Sequence, residues 1–103
     1  MEKVVFQNPV FREGLMQTIR RGDKRKKFDK GYMEAVDGRG NTQGTIDILT
    51  SELWRFIDIP YEVIGMSHDP DCQMYDQIVD AMTYFYPDFE TSDLVTVVWF
   101  YLR

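Results

Sequence analysis

The segment from Thr18 to Lys30 holds most of the residues whose types could do chemistry. It begins Thr-Ile-Arg-Arg and continues "GDKRKKFDK", so seven basic residues fall between Arg20 and Lys30. Guanidinium and ammonium groups bind phosphates, and an arginine can also donate two parallel hydrogen bonds to the edge of a base. The segment therefore predicts an anion-binding site. The residues alone also allow a site without a ligand. The basic run can be a solvated loop, Arg20 can form a surface ion pair, and the Thr18 hydroxyl can bond to the backbone of its strand.

The charge of the chain is divided unevenly along its length. The net charge is −5, but residues 1–30 hold nine Lys/Arg against four Asp/Glu, and residues 31–103 hold three against thirteen. This division predicts one face that attracts phosphate and a remainder that repels non-specific nucleic acid. It also argues against tight binding of a long duplex, which needs a broad positive face.

The stretch "SHDPDC" holds the other residues capable of site chemistry. His68 and Cys72 are the single histidine and cysteine, so we predict no Cys–His catalytic pair. Structural zinc needs four nitrogen or sulfur ligands, so we predict no metal site and assign Asp69 and Asp71 to capping and turn roles. No glycine-rich phosphate loop is present, and we predict no cofactor.

The composition predicts one domain that spans residues 1–103. With 44% hydrophobic residues the chain can bury one core. A single cysteine excludes an internal disulfide and fits a reducing compartment. No apolar run is long enough to cross a membrane, and the first residues lack a signal-peptide pattern. We therefore expect a soluble cytoplasmic protein without a membrane partner.

The first half of the chain is predicted to hold three strands and one helix. The strands are "KVVFQ", "QTIR" and "YMEAVD". Asn8 as N-cap and Pro9 at the first helical position predict a short helix that ends near Gly14. A basic loop between Gly22 and Gly31 then separates the second and third strands.

The second half is predicted to hold two more strands and two helices. "GTIDILTSELWRFIDI" is typical of a long strand with a bulge around Thr50 to Leu53, or of a pair of strands, and Pro60 opens a short helix. A helix from about Gln73 to Tyr86 carries an apolar stripe, and "DLVTVVWFYL" predicts a buried last strand. The stripe consists of Tyr75, Ile78, Met82 and Phe85. The fold class is therefore α+β, with a curled sheet or small, mainly antiparallel barrel covered by helices.

Several segments together resemble the ASCH domain, a branch of the PUA-like superfamily. They are "FREGLMQTIRRG" with the basic loop, "GYMEAVD", "FIDIP", "YFYPDF" and "DLVTVVWFYL", which follow one another in the order of that family over nearly the whole chain. The resemblance implies a small PUA-like β-barrel with flanking helices and a cleft lined by the first helix and the Thr-x-Arg strand. It also implies association with RNA. Some small family members are amidohydrolases on N4-acetylcytidine, and ribonuclease activity is attributed to others.

The chain departs from the family pattern, which runs Gly-x-Lys-x-x-Thr/Glu-x-Arg, at its lysine position; its glycine position falls on Glu13, or on Gly14 if one residue is gapped. Thr18 and Arg20 match its last two marked positions, whereas its lysine position falls on Leu15. In the amidohydrolase pattern that lysine helps to activate the threonine, and Asp71 falls near the family's acidic position. Because a leucine cannot activate a hydroxyl, the departure favours a binding protein over an enzyme.

We therefore predict a module that binds an RNA segment or a nucleotide-like small molecule, with Thr18 and Arg20 in the cleft. The residues expected to contact phosphates at its mouth are Arg21, Lys24, Arg25, Lys26 and Lys27. If the protein is an enzyme, Thr18 and Asp71 are the expected catalytic residues. A third alternative is a protein-interaction domain that uses its acidic face. The sequence predicts neither the oligomeric state nor the identity of the ligand.

Overall fold

The computed structural model describes residues 1–103 and contains five strands and two α-helices. The strands are β1 (Lys3–Val5), β2 (Met16–Arg21), β3 (Gly31–Val36), β4 (Thr42–Arg55) and β5 (Leu94–Leu102), and the helices are α1 (Tyr61–Ile64) and α2 (Tyr75–Phe85). Single 3-10 turns cover Phe56–Asp58 and Pro70–Cys72. No helix has the length and apolar character needed to cross a membrane.

The strands form one mixed sheet in the order β1-β3-β4-β5-β2. Strand β1 runs parallel to β3, and all other neighbours are antiparallel. Strand β5 lies between β4 and β2 and is fully buried at Val95, Val97, Val98 and Phe100, which confirms the predicted buried last strand. The sheet curls into a half-barrel that stays open between β1 and β2, so the structure has the predicted α+β class without a closed ring of paired strands.

The two faces of the sheet carry two separate apolar clusters. Val98 and Phe100 of β5 belong to an inner cluster, and Val95 and Val97 belong to an outer cluster, because successive strand residues point to opposite faces. The inner cluster also includes Val4, Phe6, Met16, Phe28, Met33, Ala35, Ile46 and Ile48. The outer cluster joins the sheet to α1, α2 and the segments around them, through Phe56, Ile59, Ile64, Ile78, Met82 and Phe89.

The predicted bulge in the long strand is present. The pairing of β4 with β5 shifts register between Ile48 and Thr50, so that Leu49 is left over. A bulge bends a strand and increases its local twist. Beyond it β4 continues beside β5 as far as Arg55, opposite Leu94.

The helix predicted after Asn8 does not form. Residues 6 to 15 are an extended loop, and Gly14 adopts a positive φ of 84° within it. The Asn8 side chain donates to the Asp69 carboxylate at 2.9 Å instead of capping a helix. The Phe11 ring packs against the rings of Phe6 and His68. These long-range contacts outweigh the local capping signals, because intrinsic helix preferences are small and tertiary contacts commonly override them.

The predicted apolar stripe of α2 is confirmed over its first three members. Ile78 and Met82 are buried, and Tyr75 is half-buried against Phe56 at a ring separation of 5.6 Å. Phe85 is not part of the core, since it is 51% exposed. The last turn of the helix extends past the outer cluster and leaves this ring at the rim of a cavity.

Candidate functional site

A cavity of about 720 Å³ opens along the outer edge of β2. Its walls are β2, the chain that follows β1, the start of the basic loop, the segment from Ser67 to Cys72 and one side of α2. The cavity therefore lies where the half-barrel stays open. The polar side chains that line it include Asn8, Gln17, Thr18, Arg20, Arg21, Lys24, Lys27, Ser67, His68 and Asp69.

Strand β2 places Thr18 and Arg20 on the same face. Thr18 lies opposite Val98 and Arg20 opposite Thr96, two positions apart on the neighbouring strand. Residues two apart on a strand point the same way, and both residues line the cavity. The structure thus brings together the two residues that the family pattern marks.

The Arg20 guanidinium is partly buried and has no carboxylate partner. Its Nη1 donates to the Val5 carbonyl at 2.7 Å, and its central carbon lies 4.8 Å from the centre of the Phe6 ring and 5.7 Å from that of Phe28. Its Nε is buried without any hydrogen-bond partner. Burial lowers the pKa of Arg20 to about 10, and the Tyr86 hydroxyl offsets this only in part. A cation in this state is an uncompensated positive charge inside the cavity.

Thr18 is 6% exposed, and its hydroxyl makes no hydrogen bond within the protein. The alternative from the sequence, a Thr18 hydroxyl bonded to the backbone, is therefore not found in the structure. The hydroxyl oxygen itself is not fully shielded by protein. Since Thr18 lines the cavity, its hydroxyl can bond to a molecule bound there.

His68 lies beside Thr18 through a short parallel bridge. Gln17 donates from its main chain to Met66, and His68 donates from its main chain to Gln17, each at 2.9 Å. The His68 Nδ1 lies 2.7 Å from the Val10 carbonyl. A carbonyl can only accept, so Nδ1 carries the proton and Nε2 is left as an acceptor. Burial is the main cause that lowers the pKa of His68, and the charge of Arg20 lowers it further, so the ring is neutral at pH 7.

Asp69, and not Asp71, is the acidic residue of this cavity. Asp69 is buried, and its carboxylate accepts from Asn8 Nδ2 and from the Asp71 main-chain N–H, both at 2.9 Å. This confirms the predicted turn role of Asp69. Asp71 is exposed and does not line the cavity. The structure therefore does not bring Asp71 near Thr18.

The basic loop divides into residues that line the cavity and residues that do not. Lys24 and Lys27 line it and form no ion pair. Arg21 also lines it, but its guanidinium is held by Asp88 at 3.0 Å and Asp93 at 3.3 Å.

Arg25 and Lys26 lie outside, in a separate shallow depression with Asp23 and Asp29. Arg25 is paired with Asp23 at 2.8 Å. Of the five residues predicted at the mouth, Arg25 and Lys26 are therefore absent from the cavity. Arg21 lines it but already has two carboxylate partners.

The thiol of Cys72 is the remaining reactive group on the cavity wall. Burial, with the nearby Asp69, raises the pKa of Cys72 to about 11, so the thiol is protonated at neutral pH and is a weak nucleophile. No group of three or more His, Cys, Asp or Glu side chains is placed to hold a metal ion.

Comparison with known proteins gives a fold and no family. No family model matches the sequence, and no curated protein matches it. The fold is similar to that of protein EF3133 from Enterococcus faecalis V583, of the family model DUF984, with a TM-score of 0.56 and 14% identity. The match covers 84% of this chain and 62% of that chain, so this chain spans less than two thirds of the other protein's length. At this identity the likeness shows the fold alone.

Sequence reasoning misses several residues of the cavity. It assigns Asn8 to a helix cap and gives Gln17 no role. It considers His68 for a Cys–His pair or a metal site, rejects both, and assigns Asp69 to a turn. They reach the cavity because the segment from Met66 to His68 pairs with Gln17. That pairing joins residues far apart in the chain and has no local sequence signal. The one available signal is that the single histidine stands next to an aspartate.

Proposed function

We propose that the protein is a PUA-like, ASCH-type module that binds a nucleotide-sized ligand or a short RNA segment in this cavity. The observation that carries the proposal is the state of Arg20. Its guanidinium is partly buried, lacks a carboxylate partner and has a buried, unbonded Nε. A protein does not normally bury a charge without a partner, so a bound anion is the group that completes this site.

The charges around Arg20 support an anionic ligand. Lys24 and Lys27 line the same cavity without ion pairs, so three positive groups face one space. Asp69 is the acidic residue that also faces it, and its carboxylate is occupied by Asn8 and the Asp71 N–H. The acidic remainder of the chain limits binding to this place, which favours a mononucleotide or a few linked nucleotides over a long duplex.

The size and lining of the cavity are consistent with a ligand of that size. Small-molecule sites in proteins usually measure about 300–1,000 Å³ and combine apolar walls with a few polar groups. The apolar wall here includes Ile78, Met82 and Phe6, and the polar groups are those of β2 and of His68. The lone reduced cysteine fits the cytoplasm as the place where the protein works.

The test is calorimetric titration of the protein with 5′-nucleotides and with short single-stranded RNA. Arg20→Met should reduce the affinity at least tenfold, because a charge-assisted hydrogen bond contributes about 1.5–3 kcal/mol. Arg55→Met is the matched control, since Arg55 is exposed, pairs with Asp58 and lies outside the cavity. If no nucleotide or RNA binds, or if both variants weaken binding equally, the proposal is wrong.

A hydrolase is the second candidate, and one observation favours it. The unbonded Thr18 hydroxyl lies on a strand next to His68, whose Nε2 is free to accept a proton. A neutral imidazole next to a hydroxyl is the usual general base for a hydroxyl nucleophile. The family's lysine position remains unfavourable, because Leu15 is half-buried and outside the cavity. A binding module therefore stays the preferred function, with an amidohydrolase or ribonuclease as the alternative.

A further inference from the structure

The outer edge of β2 has an unused donor and acceptor at Ile19. The even-numbered residues of β2 bond to β5, as the Gly22 N–H does to Leu94 at the end of the ladder. The main-chain groups of Gln17, Ile19 and Arg21 therefore face the outer edge. Those of Gln17 bond to Met66 and His68, whereas Ile19 makes no main-chain bond to any loop or turn, so its N–H and C=O are left at the edge.

We propose that Ile19 reads the ligand through its main chain, by pairing its N–H and C=O with an adjacent acceptor and donor on a planar ring. This inference rests on the proposed function and specifies its ligand: a nucleotide whose base presents its pairing edge to β2. Both groups of one strand residue point to the same side, and Ile19 lines the cavity. An N–C–N–H or O=C–N–H edge, which every common nucleobase has, matches this arrangement.

The length of the free edge favours a ring over an extended peptide. At Gln17 the edge is already covered by the segment from Met66 to His68. Beyond Gln17 only Ile19 and Arg21 have outward main-chain groups, because β2 ends at Arg21. The edge that remains is too short for the several paired residues of an added strand.

The walls next to Ile19 are suited to a flat group. Phe85, on the last turn of α2, lines the cavity and is 51% exposed. The Tyr86 ring also lines it and has the Arg21 guanidinium 5.0 Å from its centre. An exposed aromatic ring is a stacking surface for a base. The phosphate of such a ligand would then be left for Arg20, Lys24 and Lys27.

The test is a titration of wild type, Ile19→Pro and Ile19→Ala with the four common nucleoside 5′-monophosphates and with ribose 5-phosphate. On the main chain, proline removes an N–H that faces the open edge, and edge strands tolerate it. Both variants remove the packing of the Ile19 side chain on the outer cluster, so alanine is the matched control. We expect at least one nucleotide to bind about tenfold more tightly than ribose 5-phosphate, as two neutral hydrogen bonds allow.

That preference should disappear in Ile19→Pro and persist in Ile19→Ala. In wild type it should also disappear for the same nucleotide methylated on its pairing-edge nitrogen, a measurement that does not depend on how the proline variant folds. If ribose 5-phosphate and all nucleotides bind equally, Ile19 does not recognise a base through its main chain, and the proposed anion site is unaffected. Binding of none of them would instead remove the proposed function. Displacement of the nucleotide by acetyl-trialanine amide would show that the edge takes a peptide, against the inference.

Discussion

Arg20 ties the open side of the half-barrel to Val5. Its guanidinium donates at 2.7 Å to the Val5 carbonyl, and the two residues belong to β2 and β1, the two outermost strands of the sheet. The same side chain is therefore both the closing contact between the sheet's edges and the proposed anion ligand. Variants of Arg20 should affect stability and binding in opposite directions.

Arg20→Met should raise the free energy of unfolding of the ligand-free protein, by about 2 kcal/mol. Burial holds the pKa of Arg20 near 10 instead of 12.5, and each unit is about 1.4 kcal/mol of penalty on the charged form. Loss of the hydrogen bond to Val5 takes back about half of that gain. Urea unfolding at pH 7 measures the change, and Arg55→Met is the exposed control. A decrease of more than about 1 kcal/mol in Arg20→Met would mean that the hydrogen bond to Val5 dominates.

Reversing the charge of Lys24 and Lys27 should weaken nucleotide binding more than reversing that of Arg25 and Lys26. The two double variants to Glu change the net charge equally and lie in one loop, but the first pair lines the cavity and the second does not. Each cation that no longer neutralises a phosphate should reduce the slope of log K against log salt by about 0.7. Affinities of both variants over a range of salt concentrations test this. Equal slopes would show that the cations act at long range only.

The sequence was sufficient for elements whose own residues repeat with a clear period. The apolar stripe of α2 up to Met82 follows from its helical spacing, and the bulge beside Thr50 from a break in alternation; β5 follows from its β-branched and aromatic residues. Thr18 and Arg20 were found because a family motif marks them. They line the cavity because they share one face of β2.

The remaining features depend on contacts between distant segments. Asn8 looks like a helix cap, but its amide has a better partner in Asp69, sixty-one positions away. Phe85 has the helical spacing of a core residue, but the sheet does not extend beneath it. The short bridge between Gln17 and Ser67 puts His68 beside Thr18, and nothing near either residue in the sequence indicates it.

The stability of the protein should fall as the pH is lowered through the range just below 6.5, and His68→Asn should reduce that fall. The pKa of His68 is lowered from 6.5, mainly by burial. Between its folded and unfolded pKa values the unfolded chain binds more protons, so the stability rises with pH in that window and is lost as the pH falls. An asparagine amide can still donate to the Val10 carbonyl but does not titrate. Urea unfolding of both proteins between pH 5 and 8 is the measurement, and parallel curves would exclude His68 as the source.

Asp69→Ala should destabilise the protein by about 2 kcal/mol, whereas Asp71→Ala should stay within about 0.5 kcal/mol of wild type. The buried Asp69 carboxylate accepts from Asn8 and from the Asp71 main chain, and its loss leaves both donors unpaired. Asp71 is exposed, and exposed substitutions are usually near neutral. Thermal unfolding of the two variants compares them directly. Equal destabilisation would show that the segment acts through turn formation and not through the buried carboxylate.

Wild-type protein should release little or no cytidine from N4-acetylcytidine. A missing acid–base group costs about 10²–10⁴-fold in rate, and Leu15→Lys should not restore activity, because position 15 lies outside the cavity. Chromatography of the reaction with wild type, Leu15→Lys, Thr18→Ala and His68→Asn gives the answer. Strong wild-type turnover that is lost in both Thr18→Ala and His68→Asn would replace the binding module with a threonine hydrolase that uses His68 as its base.

The place of β2 in the sheet sets when the cavity can form. Strand β2 pairs with β5, so that Met16 lies opposite Phe100, and the main chain of its far edge pairs with the segment around Ser67. Pairings between residues so distant in the chain form late. The chain loses conformational entropy when the long loop closes, before the new contacts contribute any stabilisation. During synthesis, Thr18 and Arg20 are made well before β5, and they have no sheet to join until β5 has emerged from the ribosome. Until then the basic segment is an unfolded cationic stretch, and the protein acquires its cavity late in folding.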